Sequence, residues 1–501
     1  MSIFYNPLSK KSKALKILFV GAEIAPFVKA GGLGEVLHTL PKALGELGHD
    51  VRTITPKYAL INEEEFPMEK IVDSLMVPNG EHPDLICNVK QYKNGNGLVN
   101  YFLENQEYYE KRGSVYGYDD DPARWALLSR GTLEFIRNIS HEWTPDVIVA
   151  NDWQGGLVPN YMKTEYKKDL IISKISSVFL IHNIHFQGHI DHRNTTEMDY
   201  DDGQSQVPDI TDPRMLKLNF MRRGIRYADV INTVSPSYAR EITTPDYGEG
   251  LDQLLQERRS RLFGILNGIN YENYDPETNP YVEYKYTAST LKEKVKNKKI
   301  LQQKFNLPEN KDAFVVAIVS RLTDQKGINL VMETIEPLLQ NFDFQFVVLG
   351  SGDGHFSHFF SELDKKHKNV ATHLSFDNVL PHTIYAGADA ILIPSRFEPC
   401  GLTQMEAMRY GVAPIVREIG GLGDSVKDHT SEEDPGTGFV FEHYDKHAFV
   451  GTFMRAYEIF KYPKIWQGIQ KRAMAENFSW GKSAKEYEKL FLRALNQFNP
   501  E

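Results

Sequence analysis

Cysteine is nearly absent: Cys87 and Cys400 are the only two in 501 residues. That excludes a disulfide framework and a Cys-based zinc site, and it fits a reducing, cytoplasmic setting. No apolar run approaches the roughly 18 residues of a membrane span, so no membrane role is expected. The opening MSIFYNPLSKKSKALK is Lys-rich but has no continuous apolar stretch, and reads as a short lead into the first strand rather than a targeting segment. Positive charge is not in excess either, since 57 Lys and Arg face 67 Asp and Glu for a formal charge of -10. A nucleic-acid binder that works by neutralising phosphates is therefore disfavoured, and only a local basic cleft remains open to an anionic ligand. Low-complexity tracts are missing. What is present is ordinary globular usage, 41% hydrophobic and 25% charged, enough for sizeable cores. The chain exceeds the length at which single cores stop growing, and two domains are expected.

Short runs rich in Val, Ile and Phe alternate with longer amphipathic stretches, the pattern of parallel sheets covered by helices on both faces. It occurs twice. Strands are predicted at 16–21, 50–55, 146–151, 177–182 and 230–235, then at 314–320, 344–350, 371–376, 390–395 and 413–417. Between the two sets, LNGINYENYDPETNP (266–280) is polar and turn-rich, which places the junction there. The fold class is α/β, with two doubly wound, Rossmann-like domains at 1–268 and 269–478. Apolar residues at helical spacing (Tyr487, Leu490, Phe491, Leu495) predict a terminal helix within 479–501.

In open parallel sheets, ligands bind beyond the carboxyl ends of the strands. Those positions here hold Lys29 with Gly31 and Gly32, Asp152, His182 with Asn183, Arg321 with Lys326, Gly350–Asp353, and Glu398 with Cys400. Facing sheets would direct them into one interdomain cleft. The most informative stretch runs from Pro394 to Asp424, where the apolar AILI (390–393) leads into Glu398, Pro399, Cys400 and Gly401 and then a helix-like segment from Leu402–Gln404. A carboxylate there can hold sugar hydroxyls while helix amides hold a phosphate, a pairing suited to a nucleotide sugar. Arg321 and Lys326 are two converging cations suited to a diphosphate. The glycines of the Lys29–Gly34 loop permit positive φ and close approach of backbone amides to an anion. Asp152 and His182 are candidates for the sugar and the reacting bond, with His185 and His189 as competitors. Trp153 is either core packing or a sugar platform. The acidic runs DDD (119–121) and DYDD (199–202) read as solvated loops, and His367 and His373 lack metal-ligand spacing, so no metal site is expected.

Seven strings carry a resemblance: KAGGLGEV (29–36), NDWQGGL (151–157), HNIHFQG (182–188), TVSPSYAREI (233–242), GILNGI (264–269), SRLTDQKG (320–327) and PSRFEPCGLTQMEAMRYG (394–411). Over nearly its whole length the chain resembles the bacterial glycogen synthase and plant starch synthase family, retaining glucosyltransferases of glycosyltransferase family 5. The resemblance implies the GT-B fold, with the donor site mainly on the C-terminal domain and the terminal helix crossing back to the N-terminal one. It implies glucose transfer from ADP-glucose to the 4-hydroxyl of glycogen or another α-1,4-glucan, without metal or other cofactor. UDP-glucose as donor, a small acceptor, and a non-catalytic glucan-binding role are the alternatives. Carried over by position, Arg321 and Lys326 meet the diphosphate, and Lys29 with Gly31 and Gly32 approaches glucose and phosphate. Glu398 binds glucose hydroxyls, and Cys400, Gly401, Leu402 and Thr403 complete the donor pocket. Phe376 lies on the nucleotide base, the His182 carbonyl supports positive charge at the anomeric carbon, and Asp152 places the sugars. Cys400 is a lining residue rather than a nucleophile. Departures stand at Ala30, Glu35 and Asn151, where the family more often has Thr, Asp and His.

Overall fold

The computed structural model describes residues 14–93, 95, 97–188 and 200–498. The chain divides into two compact units. One holds the residues through Asn232 with Glu257–Arg261 and those from Ala484 onward; the other holds Thr233–Gln256 and Leu262–Ser483. The 266–280 passage thus lies inside the second unit, after the last change of unit in this region. Hydrogen bonds from the Ile265 amide to the Thr233 carbonyl and from the Ile269 amide to the Phe478 carbonyl hold it there.

In the first unit, β1 (Lys16–Val20), β2 (Asp50–Pro56), β3 (Glu69–Asn79), β4 (His82–Lys93), β5 (Val99–Glu104), β6 (Val147–Asn151), β7 (Ser176–Ile181) and β8 (Val230–Thr233) lie in the order β3-β4-β5-β2-β1-β6-β7-β8. β1 pairs in parallel with β2 and β6, and β7 in parallel with β6. Every residue of β6 and β7 is buried, as their unbroken apolar runs require of a strand covered on both faces. The direction of chain progression reverses between β1 and β6, so the loops following those strands flank a topological switch point. The β3–β4 hairpin is antiparallel, carries register shifts, and was not foreseen. From Ala484 the terminal helix Trp480–Phe498 packs within this unit: Phe491 meets Phe19 edge-on at 6.4 Å, and Asn232 donates to the Tyr487 hydroxyl at 3.2 Å.

The second unit contains the short β9 (Leu262–Gly264) and a six-stranded sheet of β10 (Phe314–Val319), β11 (Phe344–Leu349), β12 (Val370–His373), β13 (Ala390–Ile393), β14 (Ala413–Arg417) and β15 (Phe439–Phe441). Their order, β12-β11-β10-β13-β14-β15, is parallel throughout. This is again a doubly wound sheet, with its switch point between β10 and β13. Its core includes Val316, Ile318, Phe346, Val348 and Leu392, packed under Val331, Ile335 and Phe453 from the covering helices. No described helix is long and apolar enough to cross a membrane.

Candidate functional site

Of the residues singled out from sequence, Lys29 and Asp152 follow the strands that flank the first unit's switch point and Arg321, Lys326 and Glu398 those that flank the second unit's, whereas His182 follows β7 and Phe376 follows the edge strand β12. In the first unit β6 ends at Asn151 and a short helix begins at Asp152, whose φ of 48° is unusual outside glycine. That conformation is held by its own carboxylate: Asp152 Oδ1 accepts from the His182 amide at 2.7 Å and the Asn183 amide at 3.4 Å. Burial pushes the Asp152 carboxyl up to about 7, against the opposing pull of those two amides. Oδ2 has no hydrogen-bond partner among the described residues.

Burial also drives the His182 imidazole down to about 3, so the ring is neutral near pH 7. Asn151 fixes its tautomer. The Asn151 amide nitrogen donates to the Val20 carbonyl at 3.0 Å and the Val149 carbonyl at 3.1 Å, which turns Oδ1 toward His182 Nε2 at 3.0 Å. An amide oxygen accepts only, so in this network Nε2 carries the proton and Nδ1 keeps its lone pair. Asn151 and His182 thus make a donor–acceptor match. His185 faces its neighbour Phe186 and its amide donates to Asn183 Oδ1 at 3.1 Å, while His189 lies outside the described residues. Trp153 packs edge-on against Trp125 and against Phe220, the core-packing alternative.

The glycine loop departs from expectation. Gly31 has φ -148°, and neither Gly32 nor Gly34 has a positive φ. The loop already holds an anion of the protein's own: Glu23, 1% exposed, accepts from the Ala30 amide and from the Gly31 amide at 2.9 Å. Absence of side chains serves close approach instead, since a Cβ on Gly31 would lie 3.3 Å from Glu23 Oε1. Lys29 is paired with Glu35 at 3.0 Å. Sequence reasoning passed over Glu23, although it stands directly after β1, where the rule about strand ends applies.

In the second unit, a cavity of about 220 Å³ is lined by Ser320, Lys326, Glu398, Gly401, Leu402, Thr403 and Gln404 among others. Five residues assigned to the donor therefore share one cavity. Glu398, 6% exposed, receives Lys326 Nζ at 2.5 Å and the Ser395 hydroxyl at 3.0 Å on Oε2. Its Oε1 has no hydrogen-bond partner among the described residues and is free to accept. The helix Thr403–Arg409 starts at the cavity without a side-chain cap, as the sequence placed it. Arg321 is exposed, with its fork 3.3 Å from Gln325 Oε1, and Phe376 is 80% exposed after β12. Neither lines the cavity. Cys400 is buried, and burial pushes its thiol up to about 12, so it is protonated at neutral pH.

Two further features went unread in the sequence. A Cβ on Gly420 would stand 1.9 Å from the Glu398 carbonyl oxygen, and one on Gly421 2.0 Å from that of Cys400. The two glycines of EIGGLGD are thus needed to bring that segment onto the Glu398–Gly401 turn. The hydroxyl of Ser395 is the second feature. The acidic runs need correction: Asp121 is buried and ion-paired with Arg124 at 2.5 Å, and Asp201 is buried against Arg223 at 2.8 Å. These carboxylates answer buried arginines, which composition alone does not reveal; Asp119 and Asp202 remain exposed, and Asp199 lies outside the described residues. Among the described residues no group of three or more His, Cys, Asp or Glu side chains is placed to hold a metal ion.

Comparison with known proteins adds to this geometry. Residues 16–257 match the family model described as starch synthase catalytic domain, and residues 299–467 that of glycosyl transferases group 1. A glycogen synthase of Clostridium botulinum is 40% identical over 492 residues, covering 95% of this chain and 99% of that protein. One from Geobacillus stearothermophilus is 41% identical, covering 96% and 98%. Among solved structures, the catalytic domain of starch synthase IV from Arabidopsis thaliana, bound to ADP and acarbose, superposes with a TM-score of 0.82 at 31% identity, covering 97% of this chain and 100% of that one.

Proposed function

We propose, for a chain that belongs to the glycogen synthase and starch synthase family, that it transfers glucose with retention from ADP-glucose to the 4-hydroxyl of an α-1,4-glucan, releasing ADP. The observation that carries this reading is the Lys326–Glu398–Ser395 constellation in a cavity at the switch point of the second sheet. It joins a cation for phosphate to a carboxylate oxygen left free for a sugar hydroxyl. A starch synthase bound to ADP and acarbose supports ADP as the leaving nucleotide.

In this reading Arg321 and Lys326 take up the charge that develops on the departing diphosphate. Such preorganised electrostatic stabilisation is typically the largest single source of rate enhancement. Glu398 Oε1 holds glucose hydroxyls, Gly401–Thr403 line the donor pocket beside it, Phe376 stacks on the base, and Lys29 approaches the donor after exchanging Glu35 for phosphate. Asp152 orients the sugars. His182, neutral at working pH, is not the acid; its carbonyl faces the positive charge of an oxocarbenium-like transition state, and the leaving phosphate receives the proton of the attacking hydroxyl. No step uses a metal ion.

The test is nucleotide release and glucose incorporation with ADP-glucose or UDP-glucose, glycogen as primer and EDTA throughout. Incorporation from ADP-glucose is expected. A preference for UDP-glucose would reassign the donor, and glycogen binding without transfer from either would replace the reading with a non-catalytic one.

A further inference from the structure

The string TVSPSYAREI (233–242) and the side chain of Gln404 have no part in the function proposed above, yet both touch the turn from Glu398 to Gly401. Residues Thr233–Gln256 belong to the second unit, as the turn does. We propose that Ser235 and Gln404 are positioning residues of the donor pocket, which hold the backbone of this turn so that its amides stay open to the phosphate oxygens of the donor. The inference rests on the function proposed above and adds to it two residues that need not touch the substrate.

Four consecutive carbonyls of the turn each have a donor. The Gly421 amide donates to those of Glu398 and Pro399, both at 3.2 Å. The Ser235 hydroxyl reaches the Pro399 carbonyl at 2.6 Å across 164 positions of sequence. Gln404 Nε2 donates to the Cys400 carbonyl at 3.2 Å and the Gly401 carbonyl at 2.8 Å. These peptides are trans, and in a planar trans peptide the C=O and the following N–H point in opposite directions. Holding the Pro399, Cys400 and Gly401 carbonyls therefore fixes the directions of the Cys400, Gly401 and Leu402 amides. None of those three amides has an acceptor among the described residues, and Gly401 and Leu402 line the donor cavity.

Both side chains have their orientation determined by their partners. Ser235 is fully buried and accepts from the Tyr238 amide at 3.2 Å, capping the helix Pro236–Glu241, so its one hydroxyl proton goes to Pro399. Gln404 is fully buried too, and only its amide nitrogen can meet two carbonyls; its Oε1 is left buried without a donor. Gln404 thus serves the turn and leaves its own oxygen unmet. Gly401 has a φ of 68°, and a Cβ there would stand 2.5 Å from Gln404 Oε1, so the pairing of turn and side chain needs glycine. The rest of the string fastens the segment that supplies the Gly421 amide: Glu241 Oε1 accepts from the Gly420 amide at 2.8 Å, and Ser237 donates to Asp424 from its amide at 2.7 Å and its hydroxyl at 2.8 Å.

The test is steady-state kinetics of the full chain with donor and glycogen varied in turn, beside calorimetry with the nucleoside diphosphate of whichever donor, ADP-glucose or UDP-glucose, the parent uses. Ser235→Ala and Gln404→Met should each raise the KM for the donor and the Kd for the diphosphate about tenfold, the scale of one or two lost hydrogen bonds. The KM for glycogen should stay at the parent value and kcat within about threefold of it, because an interaction made equally in the ground and transition states appears in KM alone. Ser235→Thr, which keeps the hydroxyl, should restore both donor constants. A role confined to folding would lower the melting temperature and leave the donor KM untouched. The two substitutions lie on different elements, so if one variant does not fold the other decides. Parent-like donor KM and diphosphate affinity in Ser235→Ala and Gln404→Met, with normal transfer by the parent, would overturn this inference alone, as would Ser235→Thr binding the diphosphate no better than Ser235→Ala. A parent that transfers glucose from neither donor would overturn the function proposed above and this inference with it.

Discussion

Replacing Lys326 by alanine perturbs stability and chemistry together, and the structure allows the two to be separated. Its ammonium lies 2.5 Å from Glu398, with the side chains 19% and 7% exposed. Removing one partner of a buried pair typically costs 3–5 kcal/mol; with a fifth of the Lys326 side chain in reach of water, about 2–3 kcal/mol is expected here. The same substitution removes a cation from the diphosphate, which should lower kcat by roughly 10² to 10³. A second substitution distinguishes the effects. Glu398→Gln in the Lys326→Ala background removes the stranded carboxylate, so stability should return by about 1–2 kcal/mol, the size of coupling usual for contacting residues. Turnover should not return. Two units of this size need not unfold in one transition, so hydrogen exchange across residues 394–411 is the appropriate stability measure, beside kcat at saturating donor. Lys326→Ala with kcat within threefold of the parent would refute the electrostatic role. A double variant that regained both protection and turnover would show that Lys326 acts only by neutralising Glu398.

The Asp152 carboxyl, raised to about 7 by burial, should give kcat/KM an acid limb near pH 7 that Asp152→Asn flattens; a limb unchanged in that variant would remove Asp152 from the reaction. The same shift has a stability consequence. A carboxyl with a raised folded-state pKa favours folding at low pH and loses that contribution as pH rises through about 7, so Asp152→Asn should gain stability relative to the parent at pH 8 but not at pH 4. Asn151→Ala leaves His182 Nε2 without its acceptor and should lower kcat by about tenfold, whereas Asn151→His, whose ring nitrogen can still accept, should retain activity; equal activity of all three would show that the tautomer does not matter. Gly421→Ala places a Cβ 2.0 Å from the Cys400 carbonyl oxygen and should abolish donor binding or accumulation of folded protein, against little effect at Gly32, where a Cβ meets nothing within 4 Å.

What the sequence disclosed and what it withheld follow from how each feature is stabilised. Parallel strands such as β6, β7 and β11 are buried along their full length, so their apolar runs announce them within a residue or two. The β3–β4 hairpin is half exposed, with a burial pattern broken by register shifts, and its Lys, Glu and Asp residues dilute any period-two signal. The same division runs through the site. Lys326, Glu398, Asp152 and His182 could be found because each follows a legible strand. Glu23 also follows one, but its partners are backbone amides of Ala30 and Gly31, which leave no mark on side-chain composition. Asp201 and Arg223 are 22 positions apart and join only in the folded unit, so an acidic run that looks solvated conceals a buried pair. Both sheets reverse their strand order at the same relative place, between β1 and β6 and between β10 and β13. A reversal leaves adjacent strands whose following loops run to opposite faces, and the gap between them accepts a ligand whatever the sequence. The architecture therefore fixes where chemistry can sit in each unit, while residues such as Ser395, Asn151 and Glu23 determine the orientation and charge state of the groups that sit there.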